Sequence, residues 1–409
     1  MSLSHVIPES VKSRLKKIFW LYRQVYFWRR RQQDREIQDE QNRCERKARE
    51  RGILVGEEPA KAVFERLQRR LAARGAAWPP HPHGRPLHIV YASVPGGWER
   101  HNIPPELERL GKVSCFFLDQ QGIELGAGWG AVRREVDRRL PSFMKSLHAQ
   151  SPVDLFLSYL SGSQISPSTI EQVAGMGIPL FSFHLDDRRS FYGRRYDGQW
   201  SGPAAVCRAY DLNLTNAPAS LVKYRVEGGD VLFWPEGANP DFFRPLDLPF
   251  LYDVSFCGER YGVRPILVES LRRRGLRISC FGRGWENGYQ GAEDLVKIIN
   301  QSRINLGMGY VNESGDQCLK GRDFEIPACG AVYLTSENAD LRRVYRVGVE
   351  IETYRDFDDC AVKIKALLAD ESRCDAYRRA SRTAVLERHT WKGRVDQLIS
   401  CQGVPPPPL

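Results

Sequence analysis

The sequence predicts an α/β protein of two facing, doubly wound domains behind an N-terminal helical extension. Three observations lead there. Short, nearly continuous apolar runs alternate with helix-period segments in two successive series; glycines close the helices; and a proline-bounded segment at 235–245 (PEGANPDFFRP) separates the series. Apolar runs of that kind are strands of a parallel sheet covered on both faces, since a strand with one wet face alternates instead. With 42% hydrophobic and 11% aromatic residues in a chain of 409, there is material for two cores, and a mainly disordered chain is excluded.

The extension comes first. Residues 10–33 hold eight basic residues and no acidic one, while Val11, Leu15, Ile18, Tyr22 and Val25 recur at helical spacing among Phe19, Trp20, Tyr26, Phe27 and Trp28. This is a basic, aromatic-rich amphipathic helix with three readings open: it lies on an anionic membrane surface, it docks on the body of the protein or on a second copy, or it touches nucleic acid. From Asp34 to Arg51 the charges are mixed, as in a solvated helix or short coiled coil, and Val63, Leu67 and Leu71 mark a second amphipathic helix. Residues 78–86, with four prolines and Gly84, form a linker, where His81 and His83 lack a third ligand nearby and read as solvated.

In the first series, strands are expected at 87–92 (LHIVYA), 113–118, 153–159 (VDLFLSY), 180–184 (LFSFH), 211–215 (DLNLT) and 230–234 (DVLFW). Helices at 103–110 and 168–176 end at Gly111 and Gly177. The second series has strands at 253–257 (DVSFC), 277–281 (RISCF), 304–308 (INLGM), 331–335 (AVYLT) and 349–354, with a helix at 264–274 closed by Gly275. Helices over 357–368, 372–389 and 391–399 bring the chain back toward the first domain, and 405–408 is a polyproline end. The expected division is extension and linker 1–85, a first Rossmann-like domain 86–240, a second 241–390, and a return helix with tail 391–409. Such sheets hold ligands at the carboxyl ends of their strands, so two of them facing each other leave a cleft between.

The net charge of +10 belongs to the extension: residues 1–85 hold 20 Lys and Arg against 10 Asp and Glu, and the other 324 residues hold 40 against 40. No nucleic acid is therefore expected as a partner of the body. Ten cysteines without a CxxC fit neither a zinc site nor a small disulfide scaffold, and indicate a reduced, cytoplasmic chain. No uncharged apolar run reaches the ~18 residues of a membrane span, and Arg23 breaks the leader-like segment near the N-terminus.

The densest chemical signal is 312–330 (NESGDQCLKGRDFEIPACG). A polar, glycine-containing loop enters a helix whose first turn carries Lys320 and Arg322, with Glu325 one turn on. A helix start offers free amides and partial positive charge to a phosphate, the cations neutralise the rest, and the carboxylate can grip a ribose diol. The same spacing also serves a capped, salt-bridged helix with no ligand. In the first domain His184, Asp186 and Asp187 end a strand on the expected cleft. Any of them can deprotonate a hydroxyl; alternatively the two aspartates cap the next element or pair with Arg188 and Arg189. His101, after the glycines at 96 and 97, is a further base candidate. Gly282 and Gly284 begin a dinucleotide fingerprint that fails at its third glycine, which stands at 288, and neither a P-loop nor a G-x-S-x-G elbow occurs.

The run KGRDFEIPACGAVYLTSENADLRRVYRVGVEIETYRDFDD resembles the C-terminal half of the CgeB-like (spore-maturation type) glycosyltransferases, which have the GT-B fold. DVSFCGERYGVRPILVESLRRRG and FGRGW (281–285) echo the same family, and PEGANPDFF is similar to the interdomain segment of GT-B enzymes. The resemblance covers about 230–390. It implies a nucleotide-sugar-dependent glycosyltransferase with no required metal or other cofactor. It further implies that Glu325 binds the donor ribose, that Lys320 and Arg322 approach the diphosphate with Arg260 or Arg264 as a further cation, and that Phe281, Gly282 and Trp285 lie against the base. Gln317 stands where many retaining members carry a second Glu, which leaves the stereochemical outcome open. The implied partners are the nucleotide-sugar donor and a carbohydrate, lipid-linked or protein acceptor, with an anionic membrane surface for residues 10–33 on the inner face of the membrane; an oligomer is compatible with all of these. Acceptor specificity is expected in loops 119–132 and 190–203, the latter bearing Arg194, Arg195, Tyr196 and Trp200. Two other classes compete: a non-catalytic GT-B-like binding or scaffold protein, and a nicotinamide oxidoreductase, which the broken fingerprint disfavours.

Overall fold

The structure, a computed structural model, describes residues 19–80, 85–94, 97–196 and 198–408. Residues 10–18 of the basic stretch, the linker histidines His81 and His83, and Gly96 lie outside the described residues.

Two parallel sheets form. The first contains β1 (Leu87–Ser93), β2 (Gly111–Phe117), β3 (Leu155–Tyr159) and β4 (Leu180–His184). Beyond a small antiparallel hairpin of β5 (Arg195–Tyr196) and β6 (Gln199–Trp200), it continues with β7 (Leu212–Thr215) and β8 (Val231–Phe233). The spatial order is β2-β1-β3-β4-β7-β8, every pair parallel. The second sheet contains β9 (Tyr252–Cys257), β10 (Ile278–Phe281), β11 (Ser302–Leu306), β12 (Tyr333–Ser336) and β13 (Glu352–Tyr354), in the parallel order β10-β9-β11-β12-β13. These are two Rossmann-like domains. In each sheet the order reverses beside the first strand, between β1 and β3 and between β9 and β11. A crevice opens at such a reversal because the connections on its two sides leave in opposite directions.

Both faces of each sheet are covered, which is why the strands read as continuous apolar runs. Ile89, Tyr91, Leu155, Leu157, Phe181 and Phe183 face one core of the first sheet, and their neighbours Val90, Ala92, Phe156 and Leu180 face the other. Val254, Phe256, Ile304 and Leu306 do the same for the second. Among the described residues four helices were not expected, the short Asp187–Ser190 and Leu221–Val226 and two longer ones. Trp129–Gln150 buries Val132, Val136, Leu140 and Met144 at four-residue spacing under an arginine-rich outer face, so that the expected loop 119–132 ends in the first turn of a helix. Ala292–Asn300 buries Val296, Ile298 and Ile299. The helix expected from 103 starts earlier, at Gly97, with Pro104 and Pro105 inside it.

Two segments cross between the domains. Ala238 N donates to His389 O at 2.9 Å and Trp391 N to Ala238 O at 3.2 Å, pinning the PEGANP segment to the start of helix Trp391–Ile399, whose Trp391, Val395 and Leu398 pack into the first domain's core. Gly237 is required at this crossing: a Cβ there would stand 2.8 Å from Thr390 C and Trp391 N. Arg394, fully buried, donates from Nε to Pro235 O and Glu236 O.

The N-terminal segment is one continuous helix, Phe19–Glu50, and it docks on the body. Tyr22 Oη donates to Gly262 O at 2.7 Å, Tyr26 is buried in the second domain's core, Arg29 reaches Glu313 at 3.3 Å, and Asp34 Oδ1 accepts from Gly315 N at 2.6 Å. Further along, Glu36 pairs with Arg189, Glu40 with the buried Lys223 at 2.6 Å, and Cys44 and Ala48 pack on Val222 and Val226 of the first domain. The stretch 34–51 is helical to Glu50 and largely exposed, as expected of a solvated helix, yet it is anchored along one side, so that one helix straps both domains together.

Candidate active site

A cleft of about 410 Å³ lies between the two sheets. Its second-domain wall is the crevice between β9 and β11, formed by Ser255, Cys257, Gly258, Asn305 and Leu306, with Phe281, Gly282 and Arg283 from the end of β10 and Lys320 to Arg322, Glu325 and Ile326 from the helix start beyond β11. The first domain contributes Tyr159, Leu185 and Asp186, and the crossing segment contributes Glu236.

The cations are the leading feature. Arg264, in the first turn of helix Arg264–Arg273, and Arg322, which opens helix Arg322–Ala328, converge on Gly258: a Cβ there would stand 3.5 Å from Arg264 Nη1 and 3.5 Å from Arg322 Nη2. Arg322 Nη1 is buried with no hydrogen-bond partner, and among the described residues neither guanidinium has a carboxylate partner. Burial first and Arg322 second hold the Arg264 guanidinium down at about 10. Arg322 lines the cleft and Arg264 backs it, with Nη1 donating to Glu259 O at 2.9 Å; two like charges held together with no carboxylate partner make this end of the crevice electropositive. Gly258 also admits the next layer. The β10 turn packs so closely that a Cβ on Gly282, at φ 128°, would lie 2.3 Å from Gly258 O.

Lys320 reaches across the cleft to Asp186, whose Oδ1 also accepts from Cys318 Sγ at 2.8 Å. Asp186 adopts φ 60°, the left-handed region, which turns its carboxylate back toward the second domain. Burial works against its charge, but Lys320 and these bonds outweigh it and hold the carboxyl below its ordinary range. Glu325 is buried, and its Oε1 accepts from Asn102 Nδ2 of the first domain at 2.9 Å. Asn102 in turn accepts from Asn239 N through Oδ1, so the crossing segment orients it. Burial outweighs the Asn102 bond and the Arg322 charge and pushes the Glu325 carboxyl up to about 7.

Other candidates lie elsewhere. Asp187 is fully buried beneath the cleft, accepts from Tyr224 Oη at 2.8 Å, and is raised by burial to about 6; it holds the core together. His184 is buried on the first-domain side and held by burial down at about 3, so it carries no charge at neutral pH. His101 stacks on Phe242 with ring centroids 4.4 Å apart and does not line the cleft. Trp285 does not face a base position: its Nε1 donates to Gly258 O at 2.8 Å, and its ring lies under Arg260, at 5.5 Å, on the far side of that turn. Arg260 accordingly stands outside the cleft. Gln317 is held by Ser336 Oγ and Glu337 O, also outside it.

Two carboxyls escaped sequence reasoning. Glu236 is buried in the cleft wall, its Oε1 accepts from Asn216 Nδ2 at 3.1 Å, and its Oε2 has no partner; burial raises it to about 8. Glu99, with a buried and unpartnered Oε2, is raised by burial to about 7, with Glu325 contributing. Glu236 sits in a segment that reads as linker and lines the cleft through the domain crossing, whereas Glu99, in helix Gly97–Glu108, stands outside the cleft lining.

Comparison with known proteins bears on this cleft. Residues 264–400, about a third of the chain, match the family model described as glycosyl transferase-like. No curated protein matches the chain. Among solved structures, a glycosyltransferase from Rickettsia africae superposes with a TM-score of 0.53 at 11% identity, covering 78% of this chain and 98% of that one. HepE of Anabaena in complex with UDP-glucose gives 0.52 at 11% identity, covering 77% and 98%. At such identity the likeness is one of fold: two Rossmann-like domains in the GT-B arrangement.

Proposed function

We propose that this protein is a glycosyltransferase that moves a sugar from a nucleoside-diphosphate sugar to an acceptor hydroxyl. One observation carries the reading: the helix start at Lys320 to Arg322 lines the crevice between β9 and β11, and Arg264 converges with Arg322 behind it at Gly258, neither guanidinium paired with a carboxylate among the described residues. Transfer breaks the bond between the sugar's anomeric carbon and the phosphate oxygen, forms one to the acceptor oxygen, and leaves a nucleoside diphosphate. Charge grows on that leaving group, and preorganised cations stabilise it more than they stabilise the bound donor. In this reading Arg322, Arg264 and Lys320 supply that stabilisation without a metal, Glu325 holds the donor ribose, and Asp186, kept ionised by Lys320, takes the acceptor's proton. The HepE complexes with UDP-glucose, and with UDP and glucose, support a donor of that chemical class on this fold. The run at 320–359 supports a CgeB-like member, and ten free cysteines support a reducing compartment.

Calorimetric titration with nucleoside diphosphates and nucleotide sugars tests the reading. Binding lost in Glu325→Ala, and turnover that survives EDTA, are expected; no diphosphate binding, or binding untouched by Glu325→Ala, sinks it. Nucleotide binding with no turnover on any acceptor selects the scaffold alternative. The exposed Arg23, Trp28, Arg31 and Arg35 of the strap helix support an anionic membrane surface as a further partner. Among the described residues no helix is long and apolar enough to cross a membrane.

A further inference from the structure

The first sheet has its own crevice at its own reversal, between β1 and β3. A cavity of about 300 Å³ opens there, bounded by Val94 just past β1, Tyr159 and Ser161 at the end of β3, and His184 at the end of β4. It shares Tyr159 and Leu185 with the donor cleft, so the two cavities adjoin.

The chemistry of its wall is uniform. Ser161, Ser163, Gln164, Ser190 and Ser201 supply hydroxyls and an amide, and among the described residues none that lines the cavity carries a charge, since burial keeps His184 neutral. The polar groups are preset: Ser161 Oγ lies 2.8 Å from Gln164 Oε1 and 3.0 Å from Ser163 Oγ, and Ser161 N donates to the same Gln164 Oε1, which fixes the amide's direction. His184, 4% exposed, backs this wall with its ring, and its Nε2 is sealed from the cavity. In the 190–203 loop, expected to contact a carbohydrate or anionic acceptor, Arg195 stacks on Trp200 at 5.5 Å and Tyr196 on Trp129 at 4.7 Å, and none of these lines the cavity.

We propose that this cavity binds the acceptor and selects an uncharged, polyhydroxylated one, held by the preset serine hydroxyls and the Gln164 amide. An anionic acceptor would bury its charge against a wall with no cation, which is heavily disfavoured. The proposal rests on the transferase reading of the neighbouring cleft.

The test is saturation-transfer NMR with methyl β-glucoside against methyl β-glucuronide, with and without UDP, on the full chain and on Ser163→Phe and Gln164→Glu; UDP calorimetry on each variant reports the donor cleft. The neutral glycoside is expected to bind at least about tenfold tighter than the uronide. Each variant should lose at least about tenfold in glycoside affinity with UDP affinity unchanged. No glycoside binding, a uronide that binds as well, or variants that keep both ligands overturns the proposal. Should a variant lose UDP as well, the glucoside and uronide affinities of the unmodified chain decide. Absent UDP binding would instead defeat the donor-site reading, while the arm without nucleotide still decides the cavity.

Discussion

Arg322→Met separates binding from stability by sign. Arg264 Nη1 and Arg322 Nη2 each stand 3.5 Å from one point above Gly258. They are therefore no more than about 7 Å apart, and at an effective dielectric of ~20 they repel by roughly 2 kcal/mol. Methionine keeps the stem against Phe256, over which Arg322 lies at 5.8 Å, and removes the charge. The unliganded protein should hold or gain melting temperature, because a repulsion disappears and no ion pair is lost. A diphosphate sees the opposite: a charge-assisted hydrogen bond contributes about 1.5–3 kcal/mol, so UDP affinity should fall about 10- to 150-fold. Uridine, which has no phosphate, should change by less than about twofold. Calorimetry with UDP, UMP and uridine beside thermal melts without nucleotide reads all three quantities. Equal losses for UDP and uridine, or a clear drop in the unliganded melting temperature, would show Arg322 to be an ordinary structural cation and refute the anion site.

Two further outcomes are expected. Glu236 and Glu325, raised by burial to about 8 and about 7, keep protons in the fold that the unfolded chain releases in the ordinary carboxyl range. The stability they contribute is present below that range and lost as pH rises through about 7 to 8, so Glu236→Gln should flatten the fall of the urea midpoint between about pH 5.5 and 8.5. An identical pH profile for the variant would count against a protonated Glu236. Second, the Glu40 carboxylate is the partner of a Lys223 that is 1% exposed, so Glu40→Gln should destabilise by about 3–5 kcal/mol and Lys223→Met in the same chain should recover most of it. Additive losses in that double-mutant cycle, read by chemical denaturation, would deny the strap its buried anchor.

How much of this was legible in the chain follows from where the information is stored. Strands were readable because a doubly covered sheet writes its burial into consecutive residues such as Ile89, Val90 and Tyr91. Helix Trp129–Gln150 was not, because one buried residue in four is masked by RREVDRR on its outer face. At the site, Lys320, Arg322 and Glu325 were readable because one helix start holds all three. Asn102 and Glu236 were not, since each acquires its role from a crossing made by Gly237 and Thr390, far apart in sequence. Trp285 misled for a related reason. A tryptophan after a glycine turn looks like a base platform, yet its indole N–H is spent on Gly258 O, bracing the backbone on which the arginines converge.

The end of β4 then has a particular meaning. Three consecutive residues serve the two cavities in turn: His184 lines the first-domain one, Leu185 lines both, and Asp186 lines the cleft. An extended chain cannot do this over so short a span without a sharp turn, and the left-handed Asp186 supplies it before the short helix Asp187–Ser190 begins. A non-glycine residue pays roughly 1–2 kcal/mol for that conformation. The carboxylate's bonds from Lys320 and Cys318 offset it, and both come from the opposite domain. The strain is therefore relieved only when the domains face each other with the cleft assembled, which ties the position of the proposed base to the same contact that brings the donor cations to it.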